Sequence, residues 1–397
     1  MKHQNRRTFI KNSIVTGSAM ALNNPFSMFG NSRRHSLKEI QINKVDSNFE
    51  REPLIRPFGF KGGYMSEIWQ TVSYLESSSG NHQIGLCTQN VLWSDANVFS
   101  TNSEAAGNTL MYAVTEYAQK LIKGQTFKDP VSLLDDTLPE VYAYAKKITS
   151  NPDLRKTFAL NALVGVDNAL WLLYAHENGF RTFDDMIPEM YKPCLSYRHD
   201  NAAAIPLMAY NIPINEISEA VDQGYFFMKI KIGQPGTQGE MLEKDKARLS
   251  AIHKAIGNVR TKYSKNGKLP YYFDANGRYE KKQTLMRLLD HAKKIGAFDQ
   301  ISVIEEPFNE ALEIDVSDIP VRLAADESAH TDVDAIKRIE MGYKAIALKA
   351  IAKTLSMTIK IAQEAHNRNI PCFCADLTVN PILIEWNKNV AARLKSF

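Results

Sequence analysis

Two grammars of apolar and polar positions divide the chain. Between residues 37 and 192 the pattern is mixed. Residues 37–49 alternate apolar and polar in the manner of a strand, and 85–91 reads as a second. Spacing of three and four residues then predicts helices over 103–122, 130–148 and 153–178. The last carries Leu160, Leu163, Val164, Ala169, Leu170 and Leu173, an apolar face broad enough to pack on something large. From residue 203 onward the rhythm changes. Short β-branched or apolar runs recur at 203–210, 226–232, 271–275, 301–305, 322–326, 345–350 and 372–376. Helical stretches at 241–256, 281–295, 333–341 and 356–369 separate several of them. Strand–helix alternation implies a parallel sheet, and seven units in a row favour a closed barrel. An open doubly wound sheet would want a Gly-rich phosphate turn after an early strand, and there is none. The expected fold is therefore α/β: a modified TIM barrel over 200–397, preceded by an α+β domain over 37–192. After the seventh strand only one helical stretch, 381–394, follows. The eighth strand is thus missing from the pattern, which would leave two unpaired barrel edges for further sequence, another segment or a partner to fill.

Composition narrows the class. The chain has 397 residues, 44% hydrophobic and 23% charged, as in a soluble globular protein with ample core. A net charge of +4 is small for this length, and no Lys/Arg block is interleaved with aromatics, which excludes nucleic acid as the expected partner. Four scattered cysteines do not make a disulfide scaffold. Residues 1–30 read as an export signal. Paired Arg6-Arg7 and Phe9-Ile10-Lys11 precede a mildly apolar stretch, too short to span a bilayer, that ends at Ala19-Met20-Ala21. The paired arginines point to the twin-arginine route and a periplasmic destination, although Asn5 stands where that pattern usually has Ser or Thr. Within the α+β domain, Pro57-Phe58-Gly59-Phe60-Lys61-Gly62-Gly63-Tyr64 sets three glycines among aromatics. It reads equally well as a flap closing on a ligand and as a plain surface hairpin.

The candidate chemistry lies in the barrel half. Ionisable residues fall at the C-terminal ends of consecutive strands, the face on which barrel enzymes react. Lys229 and Lys231 lie two apart on the second strand, and Asp274, followed by Asn276, ends the third. Glu305-Glu306-Pro307 ends the fourth, Asp326-Glu327-Ser328 the fifth, and Lys349 lies on the sixth. One such residue is more often a turn former, a cap or a surface group. Carboxylates on three adjacent strands, flanked by lysines on the strands either side, carry more weight. Three converging carboxylates need a cation, and an all-oxygen set suits Mg²⁺. A substrate held there would face Lys231 on one side and Lys349 on the other. Two opposed bases beside a metal-bound carboxylate can remove a neighbouring hydrogen from one face and return it to the other.

These motifs resemble the enolase superfamily, in its mandelate racemase/muconate lactonizing enzyme branch. The resemblance runs from residue 37 to the end. It rests on Lys229-Ile230-Lys231, Asp274-Ala275-Asn276, Ile304-Glu305-Glu306-Pro307, Asp326-Glu327-Ser328 and Leu348-Lys349. It implies a capping domain over the barrel, Mg²⁺ ligands at Asp274, Glu305 and Asp326, and acid/base residues at Lys231 and Lys349. Lys229 would be an electrostatic helper near the substrate carboxylate, with Phe58, Phe60, Lys61, Asn276 and Asp376 at the substrate. A lysine on each side, with no His after the seventh strand, is similar to the dipeptide-epimerase subgroup. The expected activity is racemisation or epimerisation of a small carboxylate, an amino acid or a dipeptide. A lyase or cycloisomerase of the same superfamily, such as a sugar-acid dehydratase or muconate cycloisomerase, is the nearer alternative. A non-catalytic exported binding protein is the distant one. No membrane span is expected, and a homo-oligomer is compatible with the fold. Dipeptide epimerases hold the substrate ammonium with an Asp-x-Asp motif after the eighth strand, and none is visible here.

Overall fold

A computed structural model describes residues 37–60, 63–375 and 379–395, with backbone only at 59 and 60. The predicted export signal lies outside the described residues, as do Asp376 and the side chains of Phe60 and Lys61.

The N-terminal half is an antiparallel sheet covered by helices. Ile40–Phe60 (β1), Gly63–Ser77 (β2), His82–Gln89 (β3) and Thr126–Phe127 (β4) take the order β3-β2-β1-β4. Glu104–Ile122 (α1), Pro130–Thr149 (α2) and Lys156–Asn178 (α3) appear where the helical spacing placed them. Strand β2 falls between the two strands expected here. Its buried face includes Thr71, Ser73 and Ser77, so polar letters mask the alternation that would have announced it. Segment 57–64 is the end of a long hairpin, its strands paired as far as Phe60 with Gly63. Helix α3 is apolar enough to cross a membrane by length and hydropathy, yet 89% of its most apolar window is buried in the protein. It packs on β3 so closely that a Cβ at Gly85 would collide with the Gly165 carbonyl oxygen.

The C-terminal half is the predicted parallel sheet. Its strands are Leu207–Met208 (β5), Met228–Lys231 (β6), Tyr271–Asp274 (β7), Ile301–Glu305 (β8), Leu323–Ala325 (β9), Ala345–Leu348 (β10) and Cys372–Cys374 (β11). They lie side by side in chain order, each within the run that predicted it. Helices Ile214–Asp222 (α4), Gln238–Ile256 (α5), Lys282–Lys294 (α6), Asp332–Glu340 (α7) and Leu355–Asn367 (α8) connect them, and Ile384–Ala391 (α9) follows β11. The β8–β9 connection holds only the 3₁₀ turn Glu310–Leu312. The sheet curls. Tyr272 on β7 meets Phe373 on β11 edge to face, ring centres 5.6 Å apart, across an interior that also holds Val303, Ala324 and Ala345. Among the described residues β11 and β5 do not pair with each other. Residues 38–397 form one compact unit, so the two sheets share a core.

Among the contacts that tie the halves together is one between α3 and α8. Asp167, buried on α3, accepts the backbone N–H groups of Leu355 (2.9 Å) and Ser356 (3.1 Å), and also the Ser356 hydroxyl. Helix α8 thus has two first-turn donors satisfied by a carboxylate from the other half of the chain.

Candidate active site

Register builds the site. Lys231, Asp274 and Glu305 are direct neighbours across β6, β7 and β8, so their side chains emerge together at one end of the sheet. Lys229 lies two residues earlier on the same face. Its ammonium is 2.9 Å from Asp274 and 2.8 Å from Glu305, and so links the two carboxylates. Lys231 pairs with Asp274 and with the side-chain oxygen of Asn276. On the far side Lys349, just after β10, pairs with Asp326. Both terminal lysines are buried, 8% and 3% exposed, so these pairings are little screened by water.

Oxygens of Glu305, Asp326 and Glu327 all lie within 4.8 Å of one another, and among the described residues no other acidic or His/Cys group of three converges so closely. Asp274 joins through Lys229 rather than by that convergence. Strand alternation alone would turn Glu327 away from the cluster, but β9 ends at Ala325 and the chain turns at Asp326, so alternation no longer applies. Glu327 accepts from the Asn276 amide at 2.9 Å and joins the cluster. Glu306 does turn aside as alternation predicts. It accepts the N–H groups of Asp326 (2.8 Å) and Ser328 (3.2 Å), pinning the end of β9.

Burial opposes every charge here, and the neighbours decide the outcome. For Lys229 burial lowers the pKa, but Asp274 and Glu305 outweigh it and raise it. Lys231 goes the other way: burial, helped by the Lys229 charge, prevails over Asp274 and lowers it. Burial also weighs on Lys349, yet Asp326 prevails and raises it. Burial pushes Glu305 up to about 7, while Asp274, despite burial, is held near 2 by Lys229 and Lys231. The two flanking lysines therefore stand in unequal settings.

Some neighbours of the site escaped the sequence reading. Trp93, brought from the N-terminal half on the turn Val91–Ser94, lays its ring 4.9 Å from the Lys349 ammonium. Asn90 accepts the Trp93 N–H at 3.0 Å and holds that turn. Lys353 is fully buried and donates to the carbonyls of Asp326 (2.6 Å) and Ala329 (2.9 Å). Its place one helical turn after Lys349 was a legible signal; nothing in the letters around Trp93 was. Phe58 packs with Met65, Ile68 and Leu92, so the hairpin leans on the turn that carries Trp93. Asn276 sits in the left-handed region (φ 45°), which Asn tolerates better than most residues, and accepts from Lys231 while donating to Glu327.

The donor set fits a hard divalent cation. It is all oxygen, buried, and includes Asp326 Oδ1, which accepts no hydrogen bond.

Comparison with known proteins agrees with this architecture. Residues 214–397 match the family "Enolase C-terminal domain-like". No curated relative matches the chain by sequence. Among solved structures, a dipeptide epimerase from Enterococcus faecalis V583, complexed with Mg and the dipeptide L-Leu-L-Tyr, superposes with a TM-score of 0.62 at 18% identity, covering 89% of this chain and 87% of that one. The L-Ala-D/L-Glu epimerase from Bacillus subtilis gives 0.63 at 16%, with 89% and 87% covered. The N-succinyl Arg/Lys racemase from Bacillus cereus gives 0.62 at 14%, with 89% and 84% covered. Residues 214–397 thus match the enolase C-terminal domain-like family, and the chain shares the fold of these epimerases and of the racemase, a capping sheet with its helices joined to a curled parallel sheet.

Proposed function

We propose that the protein is a magnesium-dependent racemase or epimerase acting at the carbon next to a carboxylate, on an amino-acid derivative or dipeptide. One observation carries this reading: two buried lysines flank the carboxylate cluster, Lys231 on Asp274 and Lys349 on Asp326. The dipeptide and N-succinyl amino-acid substrates in the names of similar structures favour that class. Asp274, Glu305 and Asp326 would hold Mg²⁺, with Glu327 close enough to contribute an oxygen. When bound, the cation would supply the positive charge that stabilises the enolate of the substrate carboxylate. Lys231 takes the α-proton from one face and Lys349 delivers one to the other; the opposite enantiomer reverses the roles. Lys229 adds positive charge beside the carboxylate oxygens, and Trp93 closes the Lys349 side against water.

The test is isotopic. Lys231→Ala and Lys349→Ala should each abolish interconversion of enantiomers, because each direction needs both groups. Each variant should still wash solvent deuterium into the one enantiomer that faces its surviving lysine. A Lys349→Ala protein that interconverts enantiomers at near wild-type rate would sink the two-base reading, and a change in substrate mass beyond the isotope would turn it into a lyase. The paired arginines add export by the twin-arginine route to the proposal, which would put peptide fragments of the cell wall within reach.

A further inference from the structure

Tyr272 is a large polar side chain in the floor of the site that the proton-transfer scheme does not use. It lies on β7 two residues before Asp274, hence on the same inward face, and is 2% exposed. Its direct cross-strand neighbour is Val303, and Glu305 is two residues beyond Val303, a diagonal that an aromatic side chain can span. The Tyr272 hydroxyl donates to Glu305 Oε2. Small inward residues at the same level, Val303, Ala324 and Ala345, leave the ring room across the interior. Phe373 and Phe227, with ring centres 5.6 and 5.7 Å away, close on it and fix its direction. The Lys229 ammonium lies over the same ring, 5.2 Å from its centre. Glu305 is fully buried, and its carboxylate accepts from Lys229 at both oxygens and from Tyr272 at Oε2.

We infer that Tyr272 is a positioning residue for the divalent cation: its hydroxyl locks the rotation of Glu305 so that the remaining carboxylate lone pairs face the metal. Mg²⁺ demands near-ideal octahedral geometry, so a ligand free to rotate binds it less well. Partners that orient a ligand are typically worth about 10–100-fold in metal affinity. Tyr272→Phe removes only the hydroxyl and keeps the ring that supports Lys229 and the core.

This inference rests on the metal site proposed above, and the experiment separates the two. Mg²⁺ affinity is measured by calorimetry, with Mn²⁺ spin resonance as a second readout, on the full chain and on Tyr272→Phe. The expected result is metal binding by the wild type, weakened about 10–100-fold in the variant, with the melting temperature in chelator unchanged. Wild-type protein that binds no metal sinks the site itself. Wild-type binding with a variant Kd within about twofold overturns only the role of Tyr272. An affinity loss matched by an equal loss of metal-free stability assigns the hydroxyl to the fold and also overturns it. Should Tyr272→Phe not fold, 3-fluorotyrosine at position 272 keeps every contact. Its fluorine resonance should then move with the same midpoint as the calorimetric titration, and a silent resonance would overturn the role.

Discussion

At the residue scale, the site depends on a few side chains whose partners are fixed by the ends of strands. Asn276 shows how much one backbone conformation decides. Its left-handed φ turns the amide between Lys231 and Glu327, so a single side chain reports on both sides of the cluster. Asn276→Gly keeps that conformation free of strain and deletes only the amide. We expect deuterium wash-in that depends on Lys231 to fall roughly tenfold or more, in line with the worth of a positioned base, while wash-in that depends on Lys349 is nearly retained. Measuring wash-in from each enantiomer separately tests this; an equal loss from both would make Asn276 a general support of the site. The lysines themselves were legible because Lys229 and Lys231 share a strand face. Trp93 was not, because its relation to Lys349 spans 256 positions and exists only after folding.

At the element scale, the contact between α3 and α8 is the joint to examine. Asp167 is fully buried, and burial raises its pKa from 3.8 to about 6 although the Ser356 and Leu355 donors pull the other way. A carboxyl with a raised folded pKa binds its proton more tightly in the folded state. Stability from this group is therefore greatest below about pH 4, falls as pH rises towards 6, and is flat above. The fall amounts to about 3 kcal/mol at most, because each tenfold difference in proton affinity between the folded and unfolded chain is worth roughly 1.4 kcal/mol. Asp167→Asn retains an acceptor for α8 but cannot titrate. Urea melts at pH 4 and pH 6.5 should show the variant gaining on the wild type as pH rises. If the difference between the two proteins does not change with pH, Asp167 titrates normally. Asp167→Ala, which strands two buried N–H groups and likewise cannot titrate, should cost roughly 2–5 kcal/mol at pH 4 and less at pH 6.5.

At the scale of the whole molecule, the two halves are one body. The N-terminal half contributes Trp93 to the site and, through Arg155, an ion pair to Glu310 at 2.9 Å beyond β8. The Arg155 guanidinium also reaches the Glu327 carbonyl at 3.1 Å, so the loop bearing the acidic cluster is held from the capping side. A protein assembled this way has the groups of its candidate site in place only when fully folded, and the proposed twin-arginine export carries folded proteins. Intact-mass measurement on protein from its native host should find a start well beyond Met1. Protein recovered from the cytosol with Met1 in place would refute export.

Much of this was readable from the chain alone. Seven apolar runs spaced by helical stretches determined the parallel sheet and its strand order, because period and spacing are local properties that survive without knowledge of partners. The positions of Lys231, Asp274 and Glu305 at strand ends followed from the same pattern, and their register as direct neighbours bears that out. Three things only the tertiary structure decided. Strand β2 was hidden because its buried face is partly polar, with Thr71, Ser73 and Ser77 among its inward residues. Glu327 turned inward because the strand had already ended and the turn at Asp326 set its direction. Trp93 joined the site through a contact that no local period encodes. Local periodicity names the elements and the faces they bury; which side chains meet at the end of a sheet depends on the turns beyond it.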